Sequence, residues 1–400
     1  MSFLYPLIFV SVLILILGVI SLLILRFLTP ELWRLRWSKV TIYLGVILGL
    51  VSAAVWAIGF YVNALWLFRI SALTLASSIL FLLAVIISLP LSALFKLIIN
   101  LIFKIKDLRF STGEKRKTNN ERRRIIRAAS LFFPSLALST AAGGMIRSYR
   151  GAELPEIRMK FPHLPEHLEN LKIMQFSDIH LGYFVDLDDL SSTVEDAMKL
   201  KPDLVLVTGD VADRLEMLPD ALRIIAEMNP LLGVYACMGN HEYYRGEKEV
   251  RQAFEKAPIE MMINSSKSLK MQNGTFTLAG VDDPIFMRNV SPEFYTDALE
   301  ETMSEAPADE FKILMCHRPD GFDFSAEMGI ELTLSGHTHG GQIGFNGRSI
   351  FENWVYYPYL WGIYRKSNGS NLYTTAGLGH WLPFRLGCPP EVPLIILERN

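Results

Sequence analysis

Seven side chains of metal-binding type fall in five short motifs: Asp178-Ile179-His180, Gly209-Asp210, Gly239-Asn240-His241-Glu242, His317 and Gly336-His337-Thr338-His339. Carboxylate, amide oxygen and imidazole together suit Mn, Fe, Zn or Co better than calcium, and four histidines among the seven argue against magnesium alone. Two such ions sit about 3.5 to 4 Å apart only when an anion shared between them offsets their repulsion, a part that a carboxylate such as Asp210 can take. The chemistry implied is hydrolysis at a dinuclear centre, with water made reactive by the cations.

Side chains so far apart in sequence meet only if the fold gathers them. Each motif follows an apolar run, namely Ile173 to Phe176, Leu204 to Val207, Val234 to Met238, Ile313 to Cys316 and Leu332 to Leu334, and such runs read as buried strands. Asp178, Asp210 and Asn240 are spaced by about 30 residues, the length of a strand-helix-strand unit. In such sheets, function collects beyond the strand C-termini, so the motifs are expected to converge on one edge. Val194 to Leu200 and Asp220 to Met228 suit the intervening helices, and Phe276 to Val281, Asn371 to Thr375 and Leu394 to Leu397 suit later strands. The first strand is expected to enter at Leu171. Residues 151–169 read as a linker, in which solvent exposure accounts for His163 and His167 without any chemistry.

The chain is divided by charge and hydropathy. Residues 1–150 carry 18 Lys/Arg against 4 Asp/Glu, a net of +14, and the remainder holds 21 against 37, a net of −16. The mean hydropathy of +0.27 comes from the first half. Spans are expected over Phe3 to Leu25, Val40 to Trp66, Ile70 to Leu89 and Ala128 to Ile146, with Pro90 ending or kinking the third and Leu91 to Phe103 lying along the surface. Arg26, Arg34, Arg36 and Lys39 after the first span, and the cluster from Lys104 to Arg127 before the fourth, place both loops on the cytoplasmic side. The N-terminus and the C-terminal half are then extracytoplasmic. Arg122-Arg123-Arg124 also resembles a twin-arginine export signal, although its internal position departs from that pattern and positive-inside anchoring is the preferred reading of these arginines. Span interiors without charges argue for anchoring over transport. Basic residues beside apolar spans point to anionic lipid and not to nucleic acid. The three cysteines have no paired spacing and indicate neither a disulfide framework nor a zinc ribbon.

The pattern D-x-H, G-D-x-x-D, G-N-H-E/D, H and G-H-x-H, present here in order over roughly residues 170–400, resembles the calcineurin-like metallophosphoesterase superfamily. Gly340-Gly341-Gln342, Gly377-Leu378-Gly379, Pro383 and Arg385 resemble its bacterial membrane-associated YaeI/YkuE-like branch. The resemblance implies an α/β fold, a two-sheet sandwich flanked by helices, here following an all-α multi-pass anchor in the bacterial cytoplasmic membrane. It implies that Asp178, His180 and His339 hold one metal, that Asn240, His317 and His337 hold the other, and that Asp210 bridges them. A bridging hydroxide would attack phosphorus, and His241 would assist the leaving oxygen. Asp213 and Glu242 read as supports of the ligand loops. Arg385 and His380 are candidate substrate contacts, Arg385 for its bidentate grip on phosphate and His380 with a structural rim role as the competing reading. The aromatic stretch from Trp354 to Tyr364, with Tyr356, Tyr357, Tyr359 and Trp361, reads either as a bilayer-touching belt or as a loop shaping the site mouth. Phosphodiester hydrolysis is the expected activity, on a phosphorylated small molecule or lipid, with membrane lipids as partners. The alternatives are pyrophosphate cleavage of a UDP-diacylglucosamine-type lipid and a non-catalytic metal-binding scaffold.

Overall fold

The computed structural model describes residues 4–107, 112–283, 292–354, 358–380 and 382–400. Tyr356 and Tyr357, and part of the basic stretch between Lys104 and Arg127, lie outside the described residues. The chain forms two units, Met1–Ile146 with Leu382–Phe384, and Arg147–Trp381 with Arg385–Asn400.

The first unit contains α1 (Leu4–Leu28), a single turn α2 (Pro30–Trp33), α3 (Arg36–Tyr61), α4 (Leu65–Asp107) and α5, which runs over Thr112–Ser148. Pro6–Leu28, Arg36–Tyr61, Leu65–Ile105 and Glu121–Ser148 are each long and apolar enough to cross a membrane. Ile14, Leu25, Ile42, Leu75 and Leu82 pack α1, α3 and α4 together. Phe9, Leu44 and Ile87 on the same helices remain exposed, as an apolar solvent permits. Small residues let these helices approach: Gly49 faces Ile14 and Ser78, and Ser52 and Thr74 share a hydrogen bond of 2.8 Å. Of the two expectations at Pro90, an end or a kink, the end is corrected, because α4 continues through it and takes in Leu91 to Phe103, which were expected to lie along the surface. A proline removes one backbone donor, a loss that a helix packed among neighbours in lipid tolerates. At 1.5 Å per residue the 41-residue apolar stretch is roughly 60 Å long, about twice a hydrocarbon core.

The second unit begins with β1 (Glu156–Phe161), β2 (Lys172–Phe176), α6 (Leu187–Met198), β3 (Leu204–Thr208), α7 (Leu218–Ala226), β4 (Val234–Cys237), α8 (Asn240–Glu255) and β5 (Glu260–Met261). It continues through β6 (Ser265–Met271), β7 (Gly274–Gly280), α9 (Pro292–Met303), β8 (Lys312–Met315), α10 (Phe322–Glu327) and β9 (Leu332–Ser335). The hairpin β10 (Gly344–Phe345) and β11 (Arg348–Ser349), then β12 (Gly362–Arg365), β13 (Asn371–Thr374) and β14 (Leu394–Arg399), complete it. One six-stranded sheet has the order β1-β14-β2-β3-β4-β5 and the other β12-β13-β9-β8-β7-β6. The two sheets stack. Leu204 and Leu206 of β3 share a core with Ile313 of β8 and Leu332 of β9, whereas Val205 and Val207 on the opposite face pack with Leu190 of α6 and Leu222 of α7. Burial of both faces is why these strands read as unbroken apolar runs. On the far side of the second sheet, Ala279 and Leu314 pack with Tyr295 and Leu299 of α9. The sandwich flanked by helices is therefore as expected.

The linker reading of residues 151–169 is corrected. Its middle is β1, an edge strand parallel to β14 that buries Met159 and Phe161 in the inter-sheet core. Glu156-Ile157-Arg158-Met159-Lys160-Phe161 alternates as a half-covered strand must, and the prolines on either side, Pro155 and Pro162, obscure it.

Candidate metal centre

The ligand-type residues lie just past the C-terminal ends of β2, β3, β4, β8 and β9. Parallel pairing of β2 with β3 and β3 with β4, and of β8 with β9, brings these ends to matching edges of the two sheets. Five of them, Asp178, His180, Asp210, His337 and His339, have positive φ between 48° and 69°. Left-handed backbone in residues that are not glycine is costly and is tolerated where function needs the side chain aimed. Hydrogen bonds across the loops hold it there, from Asp178 N to Gly209 O and from His180 N to Asp210 O, each 3.1 Å. Gly209, at φ +83°, allows the close approach of β3 and β4, since a Cβ there would meet Gly239 and the His317 ring at 2.7 Å.

Among the described residues three clusters result, Asp178 with His180 and His339, Asp210 with His317 and His337, and His180 again with Asp213 and His241, each with its donor atoms within 4.8 Å of one another; the first two hold the expected ligands. They adjoin, because Asp210 Oδ2 lies 3.7 Å from His180 Nε2 and 3.3 Å from His317 Nε2. The side chains are oriented from outside. His317 Nδ1 donates to Thr208 O at 2.7 Å, leaving Nε2 to face inward, and His339 Nδ1 donates to Gly379 O at 3.2 Å. Asp178 accepts from Ser177 Oγ at 2.6 Å and from His337 N at 3.0 Å. Glu242 is buried and accepts from the backbone of Asp210, Val211 and Gly239 at 2.8 to 2.9 Å, tying the β3 and β4 loops together.

Whether this arrangement suits cations is answered by its orphaned atoms. Asn240 Oδ1 is buried without a hydrogen-bond partner and His317 Nε2 has only Asp210 Oδ2 at 3.3 Å, an expense that native interiors avoid unless another ligand uses the amide oxygen's lone pairs. Asp178, His180, Asp210, Asn240, His317 and His339 are buried, whereas His337 and His241 are half-buried and mark the open side. Burial disfavours the charged forms of Asp210 and Asp213, yet the histidine rings beside them, His317 foremost for Asp210 and His180 for Asp213, hold both carboxyls well below their usual range. Burial likewise works against protonation of His180 and His317, but Asp213 lifts the first to about 9 and Asp210 the second to about 10. Without cations, ring protons balance the carboxylates. Burial pushes His337 and His339 well below the ordinary imidazole value, the first further lowered by His317 and the second by His180, so both rings stay neutral.

His241 follows Asn240 on the first turn of α8. Its Nδ1 lies 2.7 Å from Asp213 Oδ1, and its ring meets His180 edge-on at 4.4 Å. Asp213 Oδ1 also takes Arg245 Nε at 3.0 Å and Nη2 at 2.9 Å, while Oδ2 is 3.3 Å from His180 Nδ1. This carboxylate brackets two histidines and an arginine.

The reading of Arg385 as a phosphate contact is corrected. Its side chain is wholly buried and donates to the backbone carbonyls of His339 at 3.1 Å, Ala376 at 2.9 Å and Gly379, so it holds the His339 loop instead of facing solvent. His380 is also buried, stacked on Phe184 at 4.9 Å and edge-on to Tyr149 at 6.1 Å, and it lines a cavity of about 130 Å³. Burial, with Arg385 and then His180 nearby, pushes its ring down to about 3. His380 therefore packs behind the centre, as in the competing structural reading, and not at the open side. Of the aromatic stretch, Trp354 is 82% exposed and Trp361 is buried, with its indole N–H donating to Glu391 at 3.0 Å. Sequence reading missed Arg245, Arg318 and Asp283. Arg318 directly follows His317, and Asp283 lies just past β7, positions equivalent to those that gave the ligands their signal.

The geometry agrees with what the chain resembles. The calcineurin-like phosphoesterase family profile matches residues 171–341. An uncharacterized metallophosphoesterase of Aquifex aeolicus is 32% identical over 237 residues, covering 59% of this chain and 87% of that protein. The zebrafish (Danio rerio) transmembrane protein with metallophosphoesterase domain is 29% identical over 268 residues, covering 65% of this chain, and the matched stretch spans only 60% of the zebrafish protein. The uncharacterized metallophosphoesterase YkuE of Bacillus subtilis is 29% identical over 258 residues, 62% of this chain and 85% of YkuE. Among solved structures, the calcineurin-like phosphoesterase YfkN of Bacillus subtilis aligns at TM-score 0.34 and 16% identity, over 52% of this chain and 82% of that one, too remotely to carry weight. By sequence over nearly the whole length of a relative, the chain belongs to the calcineurin-like metallophosphoesterases.

Proposed function

We propose that this membrane-anchored metallophosphoesterase hydrolyses phosphodiesters, with a catalytic unit on the extracytoplasmic side, and that His241 is its general acid. The observation that carries the reading is the pairing of two adjoining ligand clusters with His241, which lies outside the seven expected ligand positions and which Asp213 holds at 2.7 Å. Asp178, His180 and His339 would hold one divalent cation, Asn240, His317 and His337 a second, and Asp210 both. Such a pair supplies Lewis acidity toward phosphoryl oxygens and makes water acidic enough to attack phosphorus near neutral pH. The chain's own part is to hold these groups without reorganisation and to manage the proton on the departing oxygen. With Nδ1 committed to Asp213, His241 gives its proton from Nε2 on the half-open side, a contribution typically worth 10²- to 10⁴-fold in rate.

A second reading, cleavage of the pyrophosphate in a nucleotide-linked lipid, is favoured by the four apolar helices that keep the chain at a bilayer. Sidedness separates the two, since UDP-linked substrates are expected in the cytoplasm. C-terminal alkaline-phosphatase and green-fluorescent-protein fusions report it directly. For activity, detergent-purified full-length chain loaded with Mn is assayed on bis-p-nitrophenyl phosphate and on a nucleotide diphosphate ester. His241→Ala should retain its metals and lose about 10²- to 10³-fold in kcat. Equal turnover by this variant removes the general-acid role, and absence of turnover with any divalent metal supports the scaffold reading.

A further inference from the structure

Among the described residues, three arginines approach the metal centre, and they are not equivalent. Arg385 is wholly buried with Nη1 and Nη2 on backbone carbonyls, and Arg245 gives both Nε and Nη2 to Asp213. Arg318 differs: its Nε is pinned by Asp283, at 2.7 Å from Oδ1 and 3.0 Å from Oδ2, while its Nη1 reaches His337 Nε2 at 3.1 Å. Its stem is fixed and its tip rests on a metal-ligand candidate.

We propose that Arg318, braced by Asp283, is an oxyanion subsite whose tip passes from His337 to a phosphoryl oxygen of the substrate when the centre is loaded; this rests on the hydrolase reading above. A neutral imidazole has one lone pair and one N–H. If a cation takes Nε2, it takes the lone pair that now accepts from Arg318. If the cation takes Nδ1, the proton moves to Nε2, which then donates and repels the guanidinium. Either way Nη1 loses its acceptor while Asp283 keeps the stem in place. The vacated donor belongs to a guanidinium that stays charged and has the fork geometry of a phosphate binder. Position agrees with this role. Arg318 and His337 are both half-buried, as is His241, so the arginine stands on the open side where an anion enters. Its side chain is 12% exposed against 4% for Asp283, enough to be reached and dry enough for a strong charge-assisted bond. The ligand class is a tetrahedral phosphate or phosphodiester, gripped through an oxygen that does not leave.

The test uses the full-length chain in detergent, loaded with Mn, as wild type, Arg318→Ala, Arg318→Gln and Arg318→Lys. Metal content is measured by elemental analysis, and binding of inorganic phosphate by titration calorimetry, independently of turnover. Both neutral variants should keep their metals and bind phosphate about 10- to 100-fold more weakly. Their kcat/KM on bis-p-nitrophenyl phosphate should fall in step, and Arg318→Lys, a point charge without the fork, should recover part of each loss. If either neutral variant is loaded with metal and binds phosphate as tightly as wild type, the subsite is overturned. Loss of metal by both neutral variants also overturns it, because Arg318 then serves only to prop His337. Failure of the hydrolase reading looks different: wild type binds phosphate through Arg318 but turns over no ester.

Discussion

Loading the centre must expel protons, and the number follows from which rings carry them. His180 is raised to about 9 by Asp213 and His317 to about 10 by Asp210, while burial keeps His337 and His339 deprotonated. At pH 7.5 the metal-free chain therefore holds protons on two of its four ligand histidines. A metal binds only the neutral ring, so each displaced proton makes the apparent affinity rise about tenfold per pH unit. With one displaced at each ion, each affinity should rise about tenfold, and the overall constant for binding both about 100-fold, per unit from pH 7 to 8.5, then less steeply as pH passes the value of about 9 for His180. Chelator competition at pH 7.0, 7.5, 8.0 and 8.5 gives the slope. Titration calorimetry of Mn binding in two buffers of different ionisation enthalpy counts the protons directly. About two released per chain is expected, with any further proton coming from bound water. Release of fewer than one at pH 7.5 would refute the assignment of ring protons as the counter-charges of the empty centre.

The same protons tie stability to pH. Folded-state values above the ordinary 6.5 contribute stability that is complete below 6.5 and lost as pH rises through about 9 for His180 and about 10 for His317. The metal-free chain should thus lose on the order of 6 kcal/mol between pH 7 and 10, seen as a lower unfolding temperature by tryptophan fluorescence, while the Mn-loaded chain changes much less; equal shifts in both forms would contradict this. Glu242→Ala strips the acceptor from three buried N–H groups at about 1 to 3 kcal/mol each, so it should unfold far more easily than Glu242→Gln, which keeps one acceptor oxygen. Comparable unfolding temperatures for the two variants would show that the bracket is dispensable. Arg385→Met leaves three carbonyls without their donor and frees the His339 loop, and elemental analysis should find metal content falling from two toward one per chain; full loading would return Arg385 to a role outside the centre.

What the sequence displayed was local, and what it concealed was contributed by distant backbone. The ligand motifs were legible because each follows a strand buried on both faces, and unbroken apolar runs such as Leu204 to Val207 advertise such strands. The edge strand β1 has one covered face and two flanking prolines, so its alternation was taken for a linker. Pro90 punctuates a helix in water, but α4 passes through it. Arg385 follows a Gly-rich turn near the ligands in sequence, as a phosphate contact would. Its actual partners are the carbonyls of residues 339, 376 and 379, fixed by strand order and invisible in composition. Arg318 was hidden for the same reason, since its brace, Asp283, is 35 residues away on the neighbouring strand's end.

The buried charges of this domain are better understood as instruments of the centre than of stability. Five ligand residues hold left-handed backbone, each at a cost of about 1 to 3 kcal/mol, and such strain persists only when the surroundings over-determine it. Glu242 clamps the loops after β3 and β4, Arg385 clamps the loop after β9 to the loop after β13, and Asp213 fixes His180 and His241 together. None of the three is a ligand in this arrangement, and each removes freedom from a residue that is. Removing one of these groups leaves buried partners unpaired and so costs fold stability as well. The same removal would release the strained turns, and the ligand set would relax apart before the sandwich did.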